Sequence, residues 1–208
     1  GWKLLQAVNL GDATPVVRVP WHEPGIIGKS LDAGARAIIV PMVNSRTEAA
    51  AAVRACRYAP AGSRSFGPIR ATRQEGADYY RHANDDVVVI PMIETAKAVA
   101  DLDDILSVPG VDAIYVGPAD LSVSLGLPPG NNDDEPAFVE AYETIVKGCR
   151  DHGVVPGCHA SAELCARRTE QGFRMITITS DALALARATG EDVAMARGAT
   201  SGPSAEIY

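Results

Sequence analysis

The chain has 208 residues, of which 47% are hydrophobic and 22% charged, and it carries a formal net charge of −7. This length and composition predict one globular domain with a large core. The acidic balance, without clustered Lys and Arg, argues against nucleic acid as a partner. The longest apolar runs, such as residues 35–43, are far shorter than the roughly 20 residues of a membrane span, so no membrane partner is predicted.

Strand-like and helix-like segments alternate along the chain. Strands are predicted at residues 15–19, 35–43, 87–93, 112–116, 154–158 and 175–179. Helices are predicted at residues 4–10, 21–32, 45–59, 95–107, 137–151, 162–171 and 181–197. An insert at residues 60–86 breaks this rhythm and is predicted to hold at most a short helix over 77–83, while the acidic loop 128–136 is predicted to be a solvated turn.

Six consecutive strand–helix units with continuously hydrophobic strands predict an α/β fold, either a doubly wound sheet or a (β/α)8 TIM barrel. No Gly-rich dinucleotide motif follows any strand, which favours the barrel. A barrel of this type closes with eight strands, and six are found. The chain is therefore interpreted as one barrel domain over 1–208 whose first two strands are missing from the given sequence.

The four cysteines stand inside helix-like or strand-like segments and form no regular disulfide framework. They predict buried, reduced thiols of a cytoplasmic protein. A zinc site made of Cys158, His159 and Cys165 is the less favoured alternative, because their spacing fits no common zinc finger.

In a barrel, chemistry is expected where the parallel strands end, since those ends meet on one face. Glu94 and Asp120 each follow a predicted strand, and two carboxylates delivered there can hold one divalent cation. Arg18 ends the first strand, and its guanidinium suits a substrate carboxylate. Taken singly, each residue also has a plain structural interpretation: a first-turn acid, a helix cap or a surface charge.

Several motifs in this order, PVVRVPW, MIET, PGVDAIYVGPADLSVSLG and ITITSDALAL, resemble the HpcH/HpaI aldolase family over nearly all of residues 4–197. These are metal-dependent class II pyruvate aldolases. The resemblance implies cleavage of a 4-hydroxy-2-oxo acid to pyruvate, or a similar 2-oxo acid, and an aldehyde through a metal-stabilised enolate. It also implies a cofactor of Mg²⁺, Mn²⁺ or Co²⁺ and a homo-oligomer, a trimer or hexamer that exchanges its last helix.

The resemblance assigns roles to individual residues. Glu94 and Asp120 are implied as metal ligands, and Arg18 as the residue that grips the substrate. The backbone amides of Ala119 and Asp120 are implied to face the pyruvate carboxylate, and Asp32 to support the catalytic histidine.

Two departures from the family pattern leave alternatives open. Met92 stands where members often carry Gln. The family's acid–base histidine lies upstream of the arginine strand, so it is expected in a segment that precedes this sequence, and otherwise His22 or His159 has to transfer the proton. The remaining alternatives are an enzyme like citrate lyase or malyl-CoA lyase and a disabled barrel that binds 2-oxo acids.

Overall fold

The structure, a computed structural model, describes residues 1–198. Its strands are β1 (Val16–Arg18), β2 (Ala37–Val40), β3 (Val88–Ile93), β4 (Ala113–Val116), β5 (Val155–His159) and β6 (Met175–Thr177). Its helices are α1 (Trp2–Val8), α2 (Pro24–Asp32), α3 (Arg46–Cys56), α4 (Ile69–Glu75), α5 (Tyr79–Asp86), α6 (Ala96–Ala100), α7 (Leu102–Leu106), α8 (Pro118–Ser124), α9 (Pro136–His152), α10 (Cys165–Gln171) and α11 (Asp181–Ala196).

All six strands are parallel, and their order in the sheet is the same as their order in the chain. A doubly wound sheet reverses its strand order at one point, and this sheet does not reverse. Each crossover instead returns to the next place on the same side, as in a barrel. The fold is therefore α/β with a curled sheet of six strands, part of a (β/α) barrel, and both β1 and β6 form open edges within the described residues.

The two faces of the sheet carry separate apolar clusters, because successive residues of a strand point to opposite faces. The outer face packs under the helices in the larger cluster, with residues such as Ile38, Ile93, Ile114 and Cys158. The inner face carries the smaller cluster of Ala37, Ile39, Ile90, Met92, Ala113 and Tyr115. This inner face is the one that a barrel encloses.

The insert differs from its prediction. It contains two helices, α4 and α5, where the sequence predicted at most one over residues 77–83. Their contacts are distant in sequence: Arg36 pairs with Glu75, and the Arg70 side chain donates to the carbonyl oxygen of Ala33. Short helices gain most of their stability from such packing. The helix propensity of residues 69–75 was therefore not enough to predict α4.

The acidic loop also differs from the predicted solvated turn. Asp133 accepts two hydrogen bonds from the fully buried guanidinium of Arg168, at 2.8 and 3.0 Å. Asn132 donates to the hydroxyl of Ser122 at 2.8 Å, which fastens the loop to α8. The loop is therefore anchored on both sides by residues that the local sequence does not reveal.

None of the helices in residues 1–198 combines the length and the apolar character needed to cross a membrane.

Candidate metal and substrate site

Glu94 follows β3 directly, and the residue is 1% exposed. One carboxylate oxygen, Oε1, accepts a hydrogen bond from the backbone amide of Met42 at 2.6 Å. The other oxygen, Oε2, is buried and has no hydrogen-bond partner in the described residues. A buried carboxylate oxygen without a partner is costly, so this atom marks a position that a cation can fill.

Gly117 provides the space in which that oxygen lies. A Cβ atom at this position would stand 2.6 Å from Oε2 of Glu94 and 3.0 Å from Cε of Met92. The backbone of Gly117, with φ −92° and ψ 100°, is ordinary for any residue. Glycine is therefore needed here for room and not for conformation.

Asp120 and Arg18 lie close enough to Glu94 to change its ionisation. Burial raises the pKa of the Glu94 carboxyl, and the Met42 amide lowers that pKa again. The Asp120 carboxylate raises the Glu94 pKa further, whereas the Arg18 guanidinium lowers it. A buried acid with a second acid and a cationic side chain beside it forms the electrostatic pattern of a cation site next to an anion site.

The elements explain this convergence. Arg18 is the last residue of β1 and is exposed on the inner face, since Val17 packs against the outer cluster. Asp120 lies exposed in the first turn of α8, and no side chain of residues 1–198 caps that helix. The amides of Ala119 and Asp120 therefore lack both an intrahelical and a side-chain partner.

No sequence pattern signals the residues that hold Glu94 in place. Met42 adopts a left-handed backbone conformation, with φ 55°, and its amide donates to Glu94. Asn44 donates from Nδ2 to the Met42 carbonyl at 2.9 Å and accepts a hydrogen bond from the Thr95 hydroxyl. Together these groups join the ends of β2 and β3 around the carboxylate.

Asp32 is not brought to this site within one chain. It ends α2, near the edge where the strands begin, whereas Glu94 lies past the other end of β3, about 20 Å away at strand spacing. Its carboxylate pairs with Arg64 at 2.7 Å, beside a cleft of about 360 Å³. Arg64 is buried, lies 4.4 Å above the Tyr58 ring and donates to the Tyr79 hydroxyl.

A second polar group lies on the inner face near the same edge as Glu94. The Tyr115 hydroxyl donates to Oγ1 of Thr177 at 2.7 Å, and it stands 3.5 Å from Nδ1 of His159. His159 is exposed, whereas Tyr115 is buried. Tyr115 and Thr177 were missed from sequence, although the strand alternation alone places both on the inner face.

The possible metal donors in residues 1–198 are limited. No group of three or more His, Cys, Asp or Glu side chains is arranged there to hold a metal ion, so the zinc alternative is wrong. Cys158 points into the outer core while its neighbour His159 points inward, which separates the two. All four cysteines are free, as predicted, although Cys165 is only partly buried.

Comparison with known proteins identifies the family. A model of the HpcH/HpaI aldolase/citrate lyase family matches residues 2–188. The chain belongs to this family. The fold, with its parallel strands in chain order and acidic residues at their ends, agrees with that membership.

Named relatives are similar over most of their length. A hydroxypyruvate/pyruvate aldolase of Rhizorhabdus wittichii is 39% identical over 195 residues, which are 93% of this chain and 78% of the relative. A 4-hydroxy-2-oxo-heptane-1,7-dioate aldolase of Klebsiella pneumoniae is 41% identical over 187 residues, 88% of this chain and 70% of the relative. A crystal structure of a family protein from Burkholderia cenocepacia has a TM-score of 0.86 at 33% identity and covers 94% of this chain and 79% of that one.

Proposed function

We propose that the protein is a metal-dependent aldolase, a carbon–carbon lyase that cleaves 4-hydroxy-2-oxo acids to pyruvate, or a close 2-oxo acid, and an aldehyde. The observation that carries the proposal is the unpartnered, buried Oε2 of Glu94 beside Asp120 and Arg18 in the described part of the chain. The relatives named as aldolases give this site its reaction.

Glu94 and Asp120 are the residues that would hold the cation. The donor set fits Mg²⁺, Mn²⁺ or Co²⁺, because both groups offer oxygen ligands and the space over Gly117 leaves Oε2 free. When bound, the cation supplies a Lewis acid that stabilises negative charge on a substrate oxygen beside it.

The chain's own residues bind and orient the substrate. Arg18 extends from the inner face next to Glu94, where its planar guanidinium suits a two-pronged contact with the 2-oxo acid carboxylate. The amides of Ala119 and Asp120 add hydrogen-bond donors for the same carboxylate. A role for Asp32 in supporting an acid–base histidine rests on the resemblance alone, since its described contact is with Arg64.

The central test measures pyruvate release, coupled to lactate dehydrogenase, from several 4-hydroxy-2-oxo acids. We expect EDTA to abolish activity and added Mn²⁺, Co²⁺ or Mg²⁺ to restore it, because two carboxylates bind a cation exchangeably. Full activity in metal-stripped protein would refute the proposal.

Arg18 is tested by substitution. Arg18→Lys should lose nearly as much activity as Arg18→Ala, because a point charge does not reproduce the two-pronged contact. Arg187→Lys is the control, since Arg187 is exposed on α11 and pairs only with Glu191 among the described residues. Wild-type activity in the Arg18→Lys variant would make Arg18 a surface charge.

The family description also includes citrate lyase, which makes an acyl-CoA substrate the second candidate. The choice of substrate distinguishes the two candidates. The wild-type protein and the Arg18 variants are assayed with malyl-CoA or citryl-CoA in place of the 4-hydroxy-2-oxo acids. Cleavage of an acyl-CoA alone would favour the citrate-lyase type. Metal and 2-oxo acid binding without turnover of either substrate class would favour a disabled barrel.

The assembly is part of the proposal. We propose that two further strands close the sheet between β6 and β1, giving the eight of a (β/α)8 barrel, and that the protein is a trimer or hexamer. The first statement is supported by the open edges of β1 and β6 among the described strands. The second is supported by the exposed apolar side chains of α11. An experimental structure of the protein in its assembled form checks the strand count.

A further inference from the structure

Asn44 and Thr95 hold Met42, the residue whose amide binds Glu94. The Thr95 hydroxyl donates its single hydrogen to Oδ1 of Asn44, and Nδ2 of Asn44 donates to the Met42 carbonyl oxygen at 2.9 Å. Both polar atoms of the Asn44 side chain are therefore used, and its orientation is determined. A flipped side-chain amide would place an oxygen against the Met42 carbonyl oxygen and lose that hydrogen bond.

Asn44 and Thr95 are themselves bound to the starts of two helices. Thr95 is the N-cap of α6 and accepts from the amide of Ala98 at 3.0 Å. The backbone amide of Asn44 donates to the carboxylate of Glu48, in the first turn of α3, at 2.6 Å. Both helices contribute buried residues to the outer apolar cluster, among them Ala52 and Ala98. The positions of Asn44 and Thr95 are therefore determined by the packing of the sheet and its helices.

Met42 needs this support because its backbone conformation is unfavourable. A φ of 55° is uncommon for a residue with a Cβ atom, and it persists where surrounding contacts determine it. The Met42 carbonyl oxygen accepts from Asn44, and the Met42 amide donates to Oε1 of Glu94 at 2.6 Å. A change at Asn44 therefore alters the position of the Met42 amide and, through it, the Glu94 carboxylate. We call Met42, Asn44 and Thr95 the carboxylate clamp.

The carboxylate clamp leaves one oxygen of Glu94 for a cation. Oε1 is occupied by the Met42 amide, whereas Oε2 has no partner in residues 1–198. Asp120, the other proposed ligand, is exposed, so Glu94 is the ligand whose position the fold determines. Mg²⁺ and similarly small cations need a near-ideal octahedral arrangement and few carboxylates, whereas Ca²⁺ takes about six to eight oxygens, including both of one carboxylate, in a flexible site.

We propose that the carboxylate clamp makes the cation site selective for small divalent cations over Ca²⁺, with Asn44 and Thr95 as positioning residues that act through Met42. The proposal rests on the proposed function, which requires the cation. By holding Oε1, the clamp prevents Glu94 from turning to offer both oxygens to a larger ion. Loss of the clamp releases Oε1, widens the range of positions open to the carboxylate and reduces the preference for the smaller cation.

The test compares the dissociation constants of Mn²⁺ and Ca²⁺, measured by calorimetry on metal-stripped protein. Asn44→Leu keeps the approximate size of the side chain and removes both of its hydrogen bonds. We expect Mn²⁺ to bind about 10–100-fold more weakly, as for other changes behind a metal ligand, and Ca²⁺ to stay within about threefold of wild type. The preference for Mn²⁺ over Ca²⁺ should therefore fall.

Thr95 is tested by a pair of variants. Thr95→Val removes the hydroxyl and should reduce the Mn²⁺ preference in the same direction as Asn44→Leu does. Thr95→Ser keeps the hydroxyl donor and should restore the wild-type ratio of the two dissociation constants. If Asn44→Leu does not fold, this pair decides the question by itself.

Asn84→Leu is the matched control. The Asn84 side chain also binds the backbone at two points, accepting from the Tyr58 amide at 2.6 Å and donating to the Tyr58 carbonyl oxygen at 3.2 Å. Asn84 lies on α5, which leads into the start of β3, so it is at the edge of the sheet opposite to Glu94. Urea unfolding measures the loss of stability in this variant, and its ratio of Mn²⁺ to Ca²⁺ dissociation constants should equal that of wild type.

The outcomes separate cation selectivity from a general loss of structure. Equal weakening of Mn²⁺ and Ca²⁺ binding in Asn44→Leu, or an altered ratio in Asn84→Leu as well, would make the role structural and overturn the proposal. Unchanged binding of both cations in Asn44→Leu would overturn it and leave the proposed function intact. A ratio that falls as expected, in a protein that cleaves no 4-hydroxy-2-oxo acid, would support the clamp and refute the aldolase function alone. A wild-type protein that binds neither cation would refute both.

Discussion

Glu94 is positioned by two features that carry no charge, the backbone amide of Met42 and the missing side chain of Gly117. The amide fixes one oxygen, and the glycine leaves the other without a partner among the described residues. Leaving a buried polar group unpaired costs about 1–3 kcal/mol, and more when the group is charged. A cation bound at Oε2, as proposed, would therefore also relieve a local cost of the fold.

Gly117→Ala tests this arrangement with little disturbance of the backbone. The fold should be retained, since the φ of −92° suits alanine, but the new Cβ would displace the Glu94 carboxylate. We expect Mn²⁺ affinity, measured by calorimetry, to fall about 10–100-fold, as for other changes behind a metal ligand. Gly28→Ala, on α2 with open space around the position, is the control. Wild-type Mn²⁺ affinity in the Gly117 variant would contradict the crowding.

The buried thiols give a second prediction at this scale. Burial raises the pKa of Cys56, Cys149 and Cys158 from 9.0 to about 12. In native protein at pH 8, iodoacetamide should therefore modify Cys165 first, and all four thiols only in urea, as counted by intact mass. Equal labelling of Cys56 and Cys165 in the native state would contradict this.

The same shifts fix the sign of a pH effect. A thiol whose pKa is higher in the folded state stabilises the fold fully below the unfolded pKa. That contribution is lost as the pH rises from about 9 toward 12. The free energy of unfolding should fall in this window, and replacing Cys149 by Ala should weaken the fall.

Much of the candidate site could be predicted from single residues. Glu94, Asp120 and Arg18 carry charges at or just past the ends of hydrophobic strands, where parallel topology brings side chains together. Met42 could not be predicted, because every residue but proline has an amide and a left-handed methionine leaves no mark in the sequence.

At the scale of elements, Arg168 on α10 binds the acidic loop, residues 128–136, which follows α8 in the chain. Its guanidinium binds Asp133 at two points, also meets Asn131 and Gln171, and lies 4.7 Å above the Tyr142 ring. Arg168 and Asp133 are 35 residues apart in the sequence. The local composition of the loop therefore predicted a solvated turn, whereas this tertiary contact anchors the loop.

Arg168→Met should destabilise the protein by about 3–5 kcal/mol, because it removes the buried partner of Asp133, which itself lies in a mostly buried position. Arg167→Met is the matched control: the residue is adjacent, its side chain is 48% exposed and 3.6 Å from the same carboxylate, and its loss should change stability by less than about 1 kcal/mol. Urea unfolding of the two variants checks the difference. Equal effects would mean that the loop does not depend on the buried pair.

At the scale of the whole molecule, α11 is a helix that buries none of its side chains. Its apolar side chains include Leu185, 71% exposed, and Met195, 78% exposed. A 16-residue helix with that face open to water is expected to pack against another surface.

Leu185→Glu and Met195→Glu should therefore shift the protein from an oligomer toward the monomer in light scattering at micromolar concentration. A charge at an apolar interface is costly to bury, whereas Arg187→Gln on the same helix should leave the assembly unchanged. A wild-type protein that is monomeric at this concentration would refute the expected trimer or hexamer.

The broad architecture was accessible from sequence because six hydrophobic strands alternate with helices, and every one of those strands is present in the structure. Hydrophobic periodicity did not distinguish a doubly wound sheet from a barrel, since both folds repeat the same strand–helix unit. The spatial order of β1 to β6 excluded the doubly wound sheet, and that order is a tertiary property that local patterns do not encode.

The unreversed strand order also makes the molecule modular. The residues proposed to hold the cation and the carboxylate come from the units up to α8, whereas His159 and Thr177 come from β5 and β6. Gly153, in a left-handed turn with open space around it, separates the two parts. A chimera that joins residues 1–152 to the following units of another family member should therefore exchange the inner-face residues of β5 and β6 while it keeps the residues proposed to hold the cation.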